Sequence, residues 1–291
     1  MVILAALSLA LSGLLHGFAD GRAGGSWAAA GTVAALYLLG WRTRDRAAGV
    51  SAGLLAATSV SFLSGAAPSP QSAAFMLLTV AALFAFVAGS SLAALGLAAA
   101  AALVRPDGLL LGLLLMALAL VQQRKRALYG MVVFLSPLLA IWPVRILAGH
   151  GPPVPAFGLH AGPLLWLWTP AAALLLWLLL PFCAEMSEPG RRARWLPVVL
   201  WAALALADAS FLSETTPTGM LLPLMPLLFA LAGGGLSRLL PTLAGEFPSP
   251  AGRYALATLA VLGLAGLHIR LEPGVNPARV STSAVTGHRS R

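Results

Sequence analysis

The sequence predicts an all-helical membrane domain of about eleven spans, and three observations predict it. Hydrophobic residues fill 59% of 291 positions and charged residues only 9%, against roughly half and a quarter in a soluble domain. Apolar runs recur along the chain, each bounded by Gly, Pro or charge. The cations sit in the short loops between those runs. Mean hydropathy is +0.89.

Taken in order, the runs predict spans over residues 1–17, 26–41, 49–66, 73–88, 91–104, 107–121, 128–147, 163–182, 195–212, 219–234 and 252–268. The first run, "MVILAALSLALSGLLHGFA", is short enough for a signal peptide. It lacks a charged leading region and a clear A-x-A cleavage site, so it reads as a signal anchor. Residues 1–268 thus form one transmembrane domain. The polar tail 269–291, rich in Ser, Thr and Arg, reads as disordered.

The arginines predict the orientation. With the N-terminus cytoplasmic, the loops "WRTRDR", "QQRKR" and "EPGRRARW" and the stretch 235–253 all fall inside. They hold Arg42, Arg44, Arg46, Arg124, Lys125, Arg126, Arg191, Arg192, Arg194, Arg238 and Arg253, eleven cations against three (Arg22, Arg105 and Arg145) in the outer loops. That asymmetry is what the positive-inside rule demands. An isoelectric point near 11.4 in a soluble chain points to nucleic acid; here the charge is a topology signal, and nucleic acid is not expected. The C-terminal tail falls outside.

In this register "RPDG", Arg105 to Gly108, lies on the outer side between spans of only about 14 and 15 residues. At 1.5 Å per residue these reach about 21 to 23 Å, short of the roughly 30 Å hydrocarbon core. Arg105 and Asp107 are therefore expected near headgroup depth or in a wet cavity. A guanidinium there suits a phosphate or pyrophosphate, with Pro106 and Gly108 making the turn that aims it. The alternative is that Arg105 pairs with Asp107 and snorkels to the interface. Both readings stay open.

Asp208, about one turn from the outer end of its span, is an intramembrane carboxylate and so a candidate for function, or a solvated group bonded to Ser210. Glu214 in the loop after it reads as solvated. Asp20 is the sole carboxylate of the first outer loop and either a general base or a turn residue. Arg145, His150 and His160 flank or bracket a Pro-rich outer loop, without metal-ligand spacing. Trp142, Trp166, Trp168 and Trp177 read as interface belts, with sugar stacking as a second role for Trp166 or Trp168. Cys183, the single cysteine, excludes an internal disulfide and reads as inert. No metal or cofactor is expected.

The order "ALVRPDGLLLGLLL", then "QQRKR", then "IWPVRILAGHGPPVP", with a later "TGMLLPLMPLLFALAGGGL", resembles the multi-pass glycosyltransferases of the GT-C superfamily. The similarity covers residues 70 to 240 and is nearest to bacterial family 39-like and arabinofuranosyltransferase-like members. The resemblance implies an enzyme that moves a sugar from a polyprenyl-phosphate carrier to an acceptor at the outer face of the bacterial cytoplasmic membrane. It implies Asp20 as base, Arg105 on the carrier phosphate, Asp107 in the family's acidic position, and Asp208 and His150 against sugar or acceptor. Arg145 joins the cavity lining. The chain departs from the family pattern at Gln71, Ala156, Phe157 and Gly219, where polar groups are replaced. Those departures support an alternative, a non-catalytic membrane subunit that binds lipid carrier or scaffolds envelope-assembly proteins. A small-solute transporter is a third reading, weakened by the lack of an internal repeat and of coupling charges.

Overall fold

The computed structural model describes residues 23–59, 62–63, 70–122, 129–139, 156–157, 182–183, 186–213, 224–244 and 263, with residues 23–24, 156–157, 208–213 and 240–244 described by backbone alone. The predicted spans over 1–17, 163–182 and 252–268 and the tail 269–291 lie outside the described residues, apart from Phe182 and Gly263. Within them the chain is all-helical but for one two-residue antiparallel pairing.

Eight helices follow in order. They are α1 (Ala23–Thr43), α2 (Arg46–Thr58), α3 (Pro70–Val87), α4 (Ser91–Val104), α5 (Gly108–Gln122), α6 (Tyr129–Leu139), α7 (Pro189–Phe211) and α8 (Met225–Ala244). The short pairing joins β1 (Ala156–Phe157) to β2 (Leu212–Ser213), with Ala156 opposite Ser213. Among the described residues α3 alone is long and apolar enough to cross a membrane by length and composition; α4, α5, α6 and Met225–Leu239 of α8 are apolar but shorter.

The helix starts and stops follow local chemistry. Asp45 caps α2, its carboxylate accepting from the Ala48 N–H at 2.8 Å, which satisfies one of the orphan donors of the first turn. Glu188 precedes Pro189 at the start of α7, and its carbonyl accepts from the Arg191 and Arg192 N–H groups. Proline is favoured at that first position because it has no N–H to lose. Gly89, at φ 88°, closes α3 in the left-handed conformation open to glycine.

Several boundaries differ from the sequence expectation, most of all at α7, which begins at Pro189 and not at 195 and so takes Arg191, Arg192 and Arg194, read as loop cations, into a helix. The span predicted over 49–66 is helical from Arg46 to Thr58, breaks at Ser59, which is extended and whose hydroxyl accepts from the Phe62 N–H, and is helical again at 62–63, while 60–61 and 64–66 lie outside the described residues. The span predicted to end at residue 234 continues as helix to Ala244. It carries Arg238, taken as a loop cation, within the helix, 3.5 Å from Glu188.

Packing makes a row of helices. α8 lies on α2, α2 on α1, α1 on α3, α3 on α4 and α4 on α5, while α7 touches α1, α3, α5 and α8. Small residues bring the backbones close. A Cβ on Gly233 would stand 2.8 Å from the Ala48 carbonyl, and one on Gly40 2.8 Å from Gly49 Cα. Such contacts suit apolar helices, which gain by close approach when no water is displaced. Buried hydroxyls mostly bond back within their own helix, Thr32 to Ala28 and Thr43 to Leu39, each at 2.8 Å. Among the described residues the hydroxyls of Ser51 and Thr79 and the indole N–H groups of Trp195 and Trp201 are buried without a partner.

The turns alternate the helix ends. Arg44 reaches the Gly234 carbonyl at 3.4 Å and Arg238 reaches Glu188, so the α1–α2 turn, the start of α7 and the later half of α8 share one end. Phe75 lies under Arg105 and Phe62 meets Phe229 edge-on at 6.2 Å, which sets the opposite end.

Candidate functional site

The α4–α5 turn at this second end carries the candidate site. Arg105 precedes a proline, which disfavours the helical conformation, and it adopts φ −140°, ψ 141°. Its N–H still closes α4 on the Ala101 carbonyl at 2.9 Å. The Leu110 N–H then donates to the Asp107 carbonyl at 3.0 Å and begins α5. Gly108 is required by space: an added Cβ would meet the Ala102 N–H and stand 2.5 Å from the Ala101 carbonyl carbon.

The turn folds its two charges onto each other. Arg105 donates to Asp107 Oδ2 from Nε at 3.0 Å and from Nη2 at 2.8 Å. Both side chains are largely withdrawn from solvent, 16% and 18% exposed. The guanidinium carbon also stands 5.4 Å from the centroid of the Phe75 ring, within reach of a cation–π attraction. The site is thus a desolvated cation held on an aromatic face by one carboxylate, at the mouth of two short apolar helices.

Of the expected site residues, the structure brings Arg105 and Asp107 together. Asp208 is on α7, three residues before the helix ends at Phe211, toward the same end of the bundle. Asp20, Arg145 and His150 lie outside the described residues, as do His160 and the tryptophans 142, 166, 168 and 177. Cys183 is exposed. Among the described residues no group of three or more His, Cys, Asp or Glu is arranged to hold a metal ion.

Sequence reasoning missed two features. Phe75 gives no polar signal and is found beneath Arg105 only because α3 packs on α4. Arg44 was read as a loop cation, yet its side chain is only 9% exposed, with Nε 3.2 Å from Asp45 Oδ2. The available signal was the Arg-Asp pair in a two-residue turn between apolar helices, the same chemistry as "RPD".

No family model matches this chain, and no curated protein matches it either.

Proposed function

We propose that the chain is a multi-pass membrane protein of about eleven spans, resembling the GT-C glycosyltransferases, whose Arg105 turn holds the phosphate of a polyprenyl-phosphate-linked sugar. The observation that carries this reading is the Arg105–Asp107 pair, mostly desolvated at the end of two helices too short to fill a bilayer. The membrane part is supported by apolar side chains that stand exposed, among them Leu113, Leu120 and Val121 on α5 and Val132 and Leu139 on α6. Soluble monomers rarely expose such surface contiguously. Trp27 and Trp41, 55% and 45% exposed, flank α1 about 21 Å apart along its axis, as interfacial indoles do.

In this proposal the N-terminus is cytoplasmic, the Arg105 end faces outward, and the membrane is the bacterial cytoplasmic one. The carrier phosphate shares the Arg105 guanidinium with Asp107, and the cation offsets the charge that develops on the departing phosphate. Asp20 serves as base toward the acceptor hydroxyl, with Asp208, Arg145 and His150 toward sugar or acceptor.

A second reading is a non-catalytic membrane subunit of envelope assembly. The observation favouring it is that Arg105 already closes on Asp107 through two donors. Lipid mass spectrometry on wild type beside Arg105→Ala, both purified in native lipid, tests the carrier site. A polyprenyl phosphate retained by wild type and lost from the variant is the expected result; bulk phospholipid alone on both defeats it. Transfer assays on Asp20→Ala and Asp208→Ala then separate enzyme from subunit, since a subunit keeps its cellular role without Asp20.

A further inference from the structure

The opposite end of the bundle carries a charge pattern that the carrier site does not use. The tertiary structure gathers three separate pieces of sequence there: the α1–α2 turn, the first turns of α7 and the later half of α8. Arg44 joins the first to the third through the Gly234 carbonyl, which also accepts from Ser237 at 3.1 Å. Glu188 joins the second to the third, bound to Arg191 at 3.1 Å and to Arg238 at 3.5 Å.

Seven arginines meet in this way: Arg42, Arg44, Arg46, Arg191, Arg192, Arg194 and Arg238. Among the described residues at this end, only Asp45 and Glu188 oppose them. Arg44, nearly buried, and the partly exposed Arg191 and Arg238 are tied to those carboxylates. Arg42, Arg46, Arg192 and Arg194 are exposed, and among the described residues none of them pairs with a carboxylate. Beside them stands Trp41, half-exposed, with the Arg46 guanidinium carbon 5.3 Å from its ring centroid. An indole with a cation on its face, at the end of an apolar helix, belongs at the headgroup level of a bilayer. The patch is therefore set at the depth of lipid phosphates.

We infer that this end of the protein is a binding surface for anionic phospholipid headgroups, formed jointly by Arg42 and Arg46 on one side and Arg192 and Arg194 on the other. Guanidinium groups give phosphate both charge and paired donors, and each cation near an anionic leaflet adds to the attraction. The bracing of the three segments by Arg44, Arg238 and Glu188 presents the four exposed arginines as one surface. The inference rests on the membrane reading and is independent of the carrier site.

The test is retention of phosphatidylglycerol against phosphatidylcholine by the full chain, reconstituted in nanodiscs holding equal amounts of both, released gently and read by native mass spectrometry. Wild type is expected to keep the anionic lipid by roughly tenfold or more. The variant R42Q/R46Q/R192Q/R194Q is expected to fall to near-even retention, and the matching four-lysine variant to keep most of the preference. Raising salt from about 0.05 to about 0.5 M, which contracts the screening length, should weaken the wild-type preference even if the glutamine variant fails to fold. Even retention by wild type, an unchanged preference in a folded glutamine variant, or a salt-independent preference overturns the inference. Arg105→Ala, at the other end, should keep the wild-type preference. If it loses polyprenyl phosphate alone, the two sites are separate, and either reading can fail without the other.

Discussion

Two tight turns in this bundle use the same pair of residues in different ways. Between α1 and α2, Arg44 and Asp45 are adjacent, and the carboxylate has two tasks: it caps α2 and pairs with Arg44. The arginine in turn crosses to a carbonyl 190 positions away. Between α4 and α5, Arg105 and Asp107 straddle a proline and bind each other through two donors, with an aromatic ring as the third partner. The first turn spends its charge on holding helices together. In the second the charge meets the carboxylate of its own turn and the Phe75 ring of α3, in a compact and largely desolvated group near the end of the bundle. Equal chemistry in sequence therefore does not mean equal duty, because the neighbours decide whether the cation braces or is stored.

Substitutions can break this contrast, beginning with the largest effect. Gly108→Val should cost about 3 kcal/mol or more, since its Cβ has only backbone to push against; a collapse of the folded peak in detergent size exclusion and of the melting transition would show it. Asp107→Ala removes the carboxylate from a largely buried guanidinium, and with partial solvent relief the loss should be about 2 kcal/mol. Thermal unfolding in detergent measures it, and no loss would mean that Phe75 and water hold Arg105 unaided. Asp45→Ala should cost about 1 kcal/mol, the value of a helix cap, because Asp45 is itself half-exposed and Arg44 keeps the Gly234 carbonyl. If Asp45→Ala were as damaging as Asp107→Ala, the division between bracing and storage would fail. Glu188→Gln is the smallest, below about 1 kcal/mol, because its pairs are solvent-exposed. Its loss should shrink further as salt rises.

The legible parts of the fold were those governed by neighbouring residues. The sequence placed α4 at 91–104, as found, and α5 within a residue of its ends, since a proline-containing turn between apolar runs marks both boundaries. The break at Ser59 inside the span drawn over 49–66 was not legible, because apolar composition continues past Thr58 while the backbone there turns extended and the Ser59 hydroxyl accepts from the Phe62 N–H. The pairing of Arg105 with Asp107 was one of two readings the sequence allowed. A separation of two residues places the charges within reach, but whether they meet depends on the space left by α3. Phe75 was invisible as a site residue, because an aromatic in an apolar helix carries no mark of which neighbour it will face.

By itself the sequence determined that the described chain is helical and where most of its short turns fall, for these depend on local propensity, capping and composition. Only the tertiary structure decided that α8 lies on α2, that Arg44 reaches Gly234, and that three arginine-bearing segments meet at one end while Arg105 rests on Phe75 at the other. The physical reason lies in the helices themselves. Apolar all round, they carry no polar face to announce a partner, so their neighbours are chosen by glycine-sized gaps and side-chain shape, which become readable only when the backbones are in contact.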